Sequence, residues 1–70
     1  MIIVTRLDRK RFALNPDLIE RLQESPDTTL HMVDGQVYVI EESLERTIDL
    51  IVAYRARVLA AASTLAAREV

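Results

Sequence analysis

The sequence has no cysteine or tryptophan, one glycine, one histidine and only three aromatic residues of other types. Without cysteine, the chain forms neither disulfides nor thiolate metal sites. The single Gly35 excludes a glycine-rich phosphate loop, and the single His31 does not make a zinc site or complete a catalytic relay. We therefore expect a protein that is not an enzyme, with no catalytic residue, cofactor or metal.

The chain is also short, at 70 residues, of which 50% are hydrophobic. A single domain of this size buries only roughly 60% of the surface that its unfolded chain exposes. Disulfides cannot supplement such a marginal core here, so self-association is the expected additional source of stability. The sequence thus predicts a homo-oligomer or a protein with a bound partner.

No strong excess of charge is present, since the net charge is −2. The sequence therefore lacks the strongly basic surface that is typical of nucleic-acid-binding proteins.

The first residues show no basic segment ahead of an apolar one, so no signal peptide is expected. Arg55, Arg57 and Arg68 interrupt the alanine-rich end, which predicts no transmembrane segment. We expect a cytoplasmic protein, with a peripheral position at the inner membrane face left open.

The first two apolar runs, residues 2–6 and 11–15, have the β-branched or alternating character of strands. They should form a hairpin. A two-residue turn centred on Asp8 and Arg9 is one option, and a longer loop over residues 7–10 fits equally well. The two-residue turn gathers Ile3, Phe12 and Leu14 on one face by pairing Thr5 with Phe12 and Ile3 with Leu14.

The next segment contains two Pro-Asp signals, at Pro16-Asp17 and Pro26-Asp27. Asn15 can cap a short helix that has Pro16 at its first position. Residues 18–24 fit a helix or a strand by periodicity. We favour one helical turn over residues 16–18 and a strand over residues 19–24, because Pro26-Asp27 is a good turn centre.

A second hairpin is predicted over residues 28–41, around Asp34-Gly35, a strong hairpin signal. With these two residues at the centre of the turn, four apolar side chains share one face. The pairs are Met32 with Val37 and Leu30 with Val39, and the other face receives His31, Tyr38, Thr29 and Ile40.

The last segment predicts a long helix with Ser43 as its N-cap, and with apolar residues spaced by three and four from Leu44 onward. A helix over residues 43–68 spans about 37 Å, whereas short strands span only about 17–20 Å. The helix should therefore overhang the sheet after about residue 55 and pair with another helix, unless the alanine-rich end frays. The predicted self-association residues are Tyr54, Val58, Leu59, Ala62, Leu65 and Ala66.

These elements together predict an α+β fold, in which a small antiparallel twisted sheet of four to five short strands precedes one long C-terminal helix. The whole chain, residues 1–70, forms one domain, with a β module over residues 1–42. Four basic residues crowd the first turn and offer a candidate contact with a partner, and four acidic residues surround the helix start. The basic residues are Arg6, Arg9, Lys10 and Arg11; the acidic ones are Glu41, Glu42, Glu45 and Asp49.

Three strings resemble the FlbD/SwrD family of small flagellar proteins: Val4-Thr5-Arg6-Leu7, Leu14-Asn15-Pro16-Asp17-Leu18-Ile19-Glu20 and Glu24-Ser25-Pro26-Asp27-Thr28. The resemblance implies a bacterial motility protein, without enzyme activity or cofactor, that supports the torque-generating stator of the flagellar motor. We expect the basic first turn to make a rim contact with a motor protein or with anionic lipid headgroups. Family chains often end in a shorter, lysine-rich helix, whereas this chain continues through Ala60-Ala61-Ala62.

Nucleic-acid binding is the alternative interpretation. The opening residues 1–6 look like the start of the carbon storage regulator, a small RNA-binding β dimer, and Ile19, Gly35 and Tyr38 are placed much as in the LytTR DNA-binding domain. The likeness to the first stops at Arg6, and nothing downstream of Arg11 resembles the loops of that family. The three aromatic side chains would make a sparse stacking platform for single strands, so the alternative function is that of a small nucleic-acid-binding regulator.

Overall fold

The computed structural model describes residues 1–68, with side chains described as far as Thr64. The fold is α+β, with short antiparallel strands followed by one C-terminal helix, as the sequence predicts. The elements are β1 (Ile2–Thr5), β2 (Arg11–Leu14), a 3-10 turn (Pro16–Leu18), β3 (Ile19–Glu24), β4 (Thr28–Met32), β5 (Val37–Ile40) and α1 (Leu44–Arg68).

The five strands are divided between two sheets. One contains β1 and β2, and the other contains β3, β4 and β5 in that order. The sheets meet where a single bridge pairs Arg6 with Ile40, and where the Glu41 N–H donates to the Thr5 carbonyl at 2.8 Å. The ends of β1 and β5 are therefore joined, although the strands do not form one continuous sheet.

The register of the first hairpin differs from the one that follows from a two-residue turn. Val4 pairs with Phe12, so Ile2, not Ile3, lies opposite Leu14. Ile3 is exposed on the outer face. Both predicted loops, of two and of four residues, are wrong: the Arg6 N–H donates to the Lys10 carbonyl, which leaves three residues between them and shifts the pairing by one.

The predicted register of the second hairpin is wrong by one residue. His31 pairs with Val37 and Leu30 pairs with Tyr38, so the four apolar residues expected together are split between two faces. Here too the loop has three residues, because the Met32 N–H donates to the Gln36 carbonyl and Gly35 takes a φ of 91°. A three-residue loop that ends in a left-handed residue shifts the pairing by one and so exchanges the faces. The inner face carries Thr28, Leu30, Met32, Tyr38 and Ile40; the outer face carries Thr29, His31, Val37 and Val39.

The segment between the hairpins has the predicted form. The Asn15 side chain accepts a hydrogen bond from the Asp17 N–H at 3.0 Å, and Pro16 begins a single 3-10 turn. The strand β3 follows directly and pairs with β4. Asn15 marks the start of the turn because its side chain accepts a hydrogen bond from an N–H group that has no acceptor within the turn.

The core lies between the two sheets and the first half of the helix. Its buried apolar residues come from the strands, and the helix adds Leu50, Ile51 and Tyr54, which are partly buried. Thr47 is also fully buried, with its hydroxyl donating to the Ser43 carbonyl at 2.8 Å. The strand residues of the core are Ile2, Val4, Leu14, Leu30, Met32 and Ile40.

Two side chains accept hydrogen bonds from backbone N–H groups at the start of α1. The Ser43 hydroxyl accepts from the Arg46 N–H at 3.0 Å, as expected of an N-cap, and a Glu24 carboxylate oxygen accepts from the Leu44 N–H at 3.0 Å. The free N–H groups of the first helical turn are otherwise left without acceptors. Glu24 therefore ties the helix start to the end of β3.

The face that α1 turns to the sheets is not quite the expected one. The spacing of three and four from Leu44 onward places Ile48, four residues later, on the apolar stripe of the helix, but 45% of Ile48 is exposed. Thr47 takes the buried place beside Ile51. Since consecutive helical residues are separated by about 100°, burying Thr47 turns Ile48 toward solvent.

Candidate interaction surfaces

The four basic residues of the first hairpin do not form one free patch. The Arg6 guanidinium lies over two aromatic rings, 5.0 Å from the Phe12 centroid and 5.7 Å from the Tyr38 centroid. The rings themselves are 5.2 Å apart and tilted. Arginine above an aromatic face is held by electrostatic attraction to the ring, so Arg6 links the two hairpins across the inner faces of the sheets.

Arg9 makes an ion pair, since its Nε atom lies 3.1 Å from a carboxylate oxygen of Glu41. Its side chain is nevertheless 87% exposed. Arg9 has a φ of 72°, which is unusual for a residue with a side chain. The ion pair joins the tip of the first hairpin to the residue that follows β5.

Glu42 is the second acidic residue that meets the first hairpin. Its carboxylate accepts hydrogen bonds from the N–H and the hydroxyl of Thr5, both at 2.8 Å. Burial by itself raises the pKa of Glu42, but these hydrogen bonds and the nearby charge of Arg11 hold the pKa of this carboxyl below its usual value. Glu41 and Glu42 thus offset part of the positive charge of the turn.

The C-terminal part of α1 forms an arm that projects beyond the sheets. Tyr54 is the last residue of the helix that is partly buried, and each residue over 55–64 is exposed. Among the predicted self-association residues, Val58, Leu59 and Ala62 lie on this arm. Leu65 and Ala66 belong to the helix, but their side chains lie outside the described part.

A shallow hollow of about 200 Å³ lies where the arm leaves the β module, beside Tyr54, Val58 and Leu59. One wall is an ion pair, in which an Arg55 Nη atom lies 3.0 Å from a carboxylate oxygen of Asp17. Sequence reasoning did not identify Asp17 as a contact of the helix, because the pair joins residues far apart in the chain.

A larger groove of about 430 Å³ opens between the two sheets. Its floor includes Phe12, Leu14 and Met32, and its rim includes the exposed side chains of Leu18 and Val33. This groove was not predicted from the sequence, because it depends on how β2 lies across β4 and β5.

No cluster of three or more metal-binding side chains occurs within residues 1–68. His31 lies on the outer face of the larger sheet, where its Nε2 atom is 3.0 Å from Gln23 Oε1. Its expected place beside Tyr38 on one face is wrong, since Tyr38 lies on the inner face. Over the same described range, no helix is both long enough and apolar enough to cross a membrane.

Comparison with known proteins identifies a family to which the chain is similar. The sequence model of the FlbD family, described as flagellar and swarming motility proteins, matches residues 1–59. No curated protein and no solved structure matches the chain. The family match covers the five strands and the helix as far as Leu59.

Proposed function

The chain belongs to the FlbD family of flagellar and swarming motility proteins, and we propose that it is a non-enzymatic accessory protein that supports torque generation by the motor's stator. It acts through protein–protein contacts in the cytoplasm, at the inner face of the membrane. The resemblance of the three sequence strings to the family suggested this role. The exposed apolar and charged surfaces described above support it.

The exposed arm of α1 is the observation that carries the proposal. Val58 and Leu59 are 49% and 69% exposed, although both are large and apolar. Such side chains gain stability when a contact removes them from water. An arm that projects from a small folded module is suited to self-association and leaves the module itself free for a second partner.

The first hairpin supplies the second contact in this proposal. Its tip carries Arg9 and Lys10, both exposed, and charged residues are usual at the rim of an interface. The charge of the tip is partly offset by Glu41 and Glu42, which favours a protein partner with mixed charge over a uniformly anionic surface. A stator protein at the membrane face is the partner that we propose.

The proposal is tested in cells of the source organism that lack the gene. We expect assembled filaments and reduced torque on tethered cells. Complementation with the natural protein should restore torque, whereas the Leu59→Asp variant should restore little of it. Ala60→Asp is the matched control, because it places the same charge on the adjacent exposed residue of the arm, on another face of the helix. Loss of filaments, or unchanged torque in the deletion strain, would overturn the proposed role.

Binding to RNA or DNA is the outcome that would favour the alternative function. It would appear as a mobility shift that weakens steeply with added salt, because binding to phosphates releases counterions. Replacing Lys10 and Arg11 by glutamate should then abolish the shift. Our proposal expects no shift at micromolar protein in low salt.

A further inference from the structure

The helix α1 carries a second exposed apolar stripe, separate from the face that packs on the sheets. Ile48 and Val52 are 45% and 61% exposed, even though this part of the helix is supported by the β module. Glu45 and Arg55 lie on the same stripe, because the positions 45, 48, 52 and 55 are separated by three, four and three residues. An acidic residue thus precedes the apolar pair, and a basic residue follows it.

This order of charges makes the stripe complementary to the same stripe on a second helix that runs in the opposite direction. If a second copy of the helix lies antiparallel on the stripe, Glu45 of each copy faces Arg55 of the other. Ile48 then faces Val52, because both pairs of residue numbers have the same midpoint at Leu50. A parallel arrangement would instead set glutamate against glutamate and arginine against arginine, which is repulsive.

We propose that two copies of the chain associate through this stripe as an antiparallel helix pair with two-fold symmetry. The inference rests on the self-association in the proposed function, and it moves the primary contact from the arm to the supported half of α1. Two apolar layers of Ile48 and Val52 form the centre, and a Glu45–Arg55 ion pair closes each end. A two-fold contact uses the same surface on both copies, as this stripe does.

Arg55 can join the pair without losing its intramolecular contact. Its guanidinium group already meets Asp17 at 3.0 Å, yet its side chain remains 61% exposed. Arginine has five N–H donors, so one guanidinium can bind two carboxylates. In the proposed dimer, Arg55 lies between Asp17 of its own chain and Glu45 of the other copy.

Reversing the charge of Glu45 or of Arg55 tests the proposed dimer. Glu45→Arg and Arg55→Glu should each weaken association about tenfold or more, because each change turns two attractive pairs into two repulsive ones. An equimolar mixture of the two variants should recover a heterodimer, in which every arginine again faces a glutamate. Sedimentation equilibrium measures the masses, and circular dichroism verifies that each variant is folded.

Matched controls separate the stripe from general charge effects. Glu20→Arg makes the same change of charge as Glu45→Arg at an exposed position of β3, and Arg57→Glu does the same for Arg55→Glu on another face of α1. Both control positions lie away from the stripe, so both variants should associate as the natural protein does. Asp17→Asn removes the intramolecular partner of Arg55 and should leave the dimer in place.

Two results would overturn the inference, and they have different consequences for the proposed function. If the single charge variants keep the natural dimer mass while Leu59→Asp dissociates it, the arm is the contact and the stripe is not. If the natural protein is a monomer at every concentration, association through either part of α1 is wrong. A role in motility, measured by torque in cells, would survive both results.

Discussion

The two hairpin loops of this small protein have the same backbone geometry but differ at the residue with positive φ. In both loops, the third residue donates its N–H back across the loop, from Arg9 to Arg6 at 2.9 Å and from Gly35 to Met32 at 3.0 Å. Arg9 has a φ of 72° and Gly35 a φ of 91°. One loop thus uses the residue that is suited to this conformation, and the other does not.

An aspartate at the centre of each loop completes the likeness. Asp8 accepts from the Lys10 N–H at 3.1 Å, and Asp34 accepts from the Gln36 N–H at 3.0 Å. The loops differ in their outside contacts. The first hairpin is tied to the end of β5 by Glu41 and Glu42, whereas in the second loop the Val33 N–H donates to the Leu18 carbonyl at 2.9 Å. The comparison teaches that contacts from outside a loop can hold a backbone conformation that its own sequence does not favour.

The largest expected effect comes from breaking the contact of the first hairpin with Glu42. Glu42→Ala removes two hydrogen bonds to Thr5, each with a charged acceptor, and should lower the free energy of unfolding by about 2 kcal/mol. Urea denaturation at neutral pH measures this loss. Glu41→Ala is the control, since it removes only an exposed ion pair and should cost less than about 1 kcal/mol. Equal losses in the two variants would contradict the special role of Glu42.

The same contact has a definite pH dependence. The pKa of Glu42 is lower in the folded protein than in the unfolded chain, so its stabilisation is fully present above the usual glutamate pKa of about 4.3 and is lost as the pH falls through the lower folded value. The difference between the natural protein and Glu42→Ala should therefore be constant near neutral pH and shrink in acid. A difference that grows on acidification would show the opposite shift.

A smaller effect is expected at the second loop. Gly35→Ala should destabilise the protein by about 1 kcal/mol, because a side chain is disfavoured at its positive φ. Crowding does not contribute, since an added Cβ would meet nothing within 4 Å. Thermal or urea unfolding gives the value, and Asp34→Asn provides a comparison that keeps an acceptor in the loop. No loss of stability would mean that the second loop tolerates a side chain as well as the first.

The smallest expected effect is a gain in stability. Arg9→Gly relieves the positive φ of the first loop but loses the ion pair with Glu41, and should raise the free energy of unfolding by about 0.5 kcal/mol. Moderate salt screens the exposed ion pair, so the gain should increase when unfolding is measured in salt. A net destabilisation that persists in salt would show that the Arg9 side chain does more than pair with Glu41.

The parts of the fold that follow local rules could be predicted from the sequence. Asn15 with Pro16 marks the 3-10 turn, and Ser43 marks the helix start, because a cap depends only on residues next to it. The hairpin registers could not be predicted in the same way. Asp8-Arg9 and Asp34-Gly35 fit loops of two or three residues, and one extra residue exchanges the faces of every paired side chain.

The candidate surfaces depend on tertiary contacts and were harder to predict. Helical spacing alone allows Ile48 to face the core, and only the burial of Thr47 turns it outward. The basic residues of the first turn are adjacent in the sequence, but Arg6 lies on two aromatic rings and Arg9 on a carboxylate. The sequence therefore identified the charged turn, while the structure determines which of its charges are already engaged.

The contact between Asp17 and Arg55 also has a mechanical consequence. It lies where the helix loses the support of the sheets, and the 13 residues over 56–68 extend about 20 Å beyond it. A sideways pull at the far end therefore acts on this point as through a lever. The Ser43 and Glu24 caps hold the other end of the rod, so such a pull is passed to the β module as a bending moment.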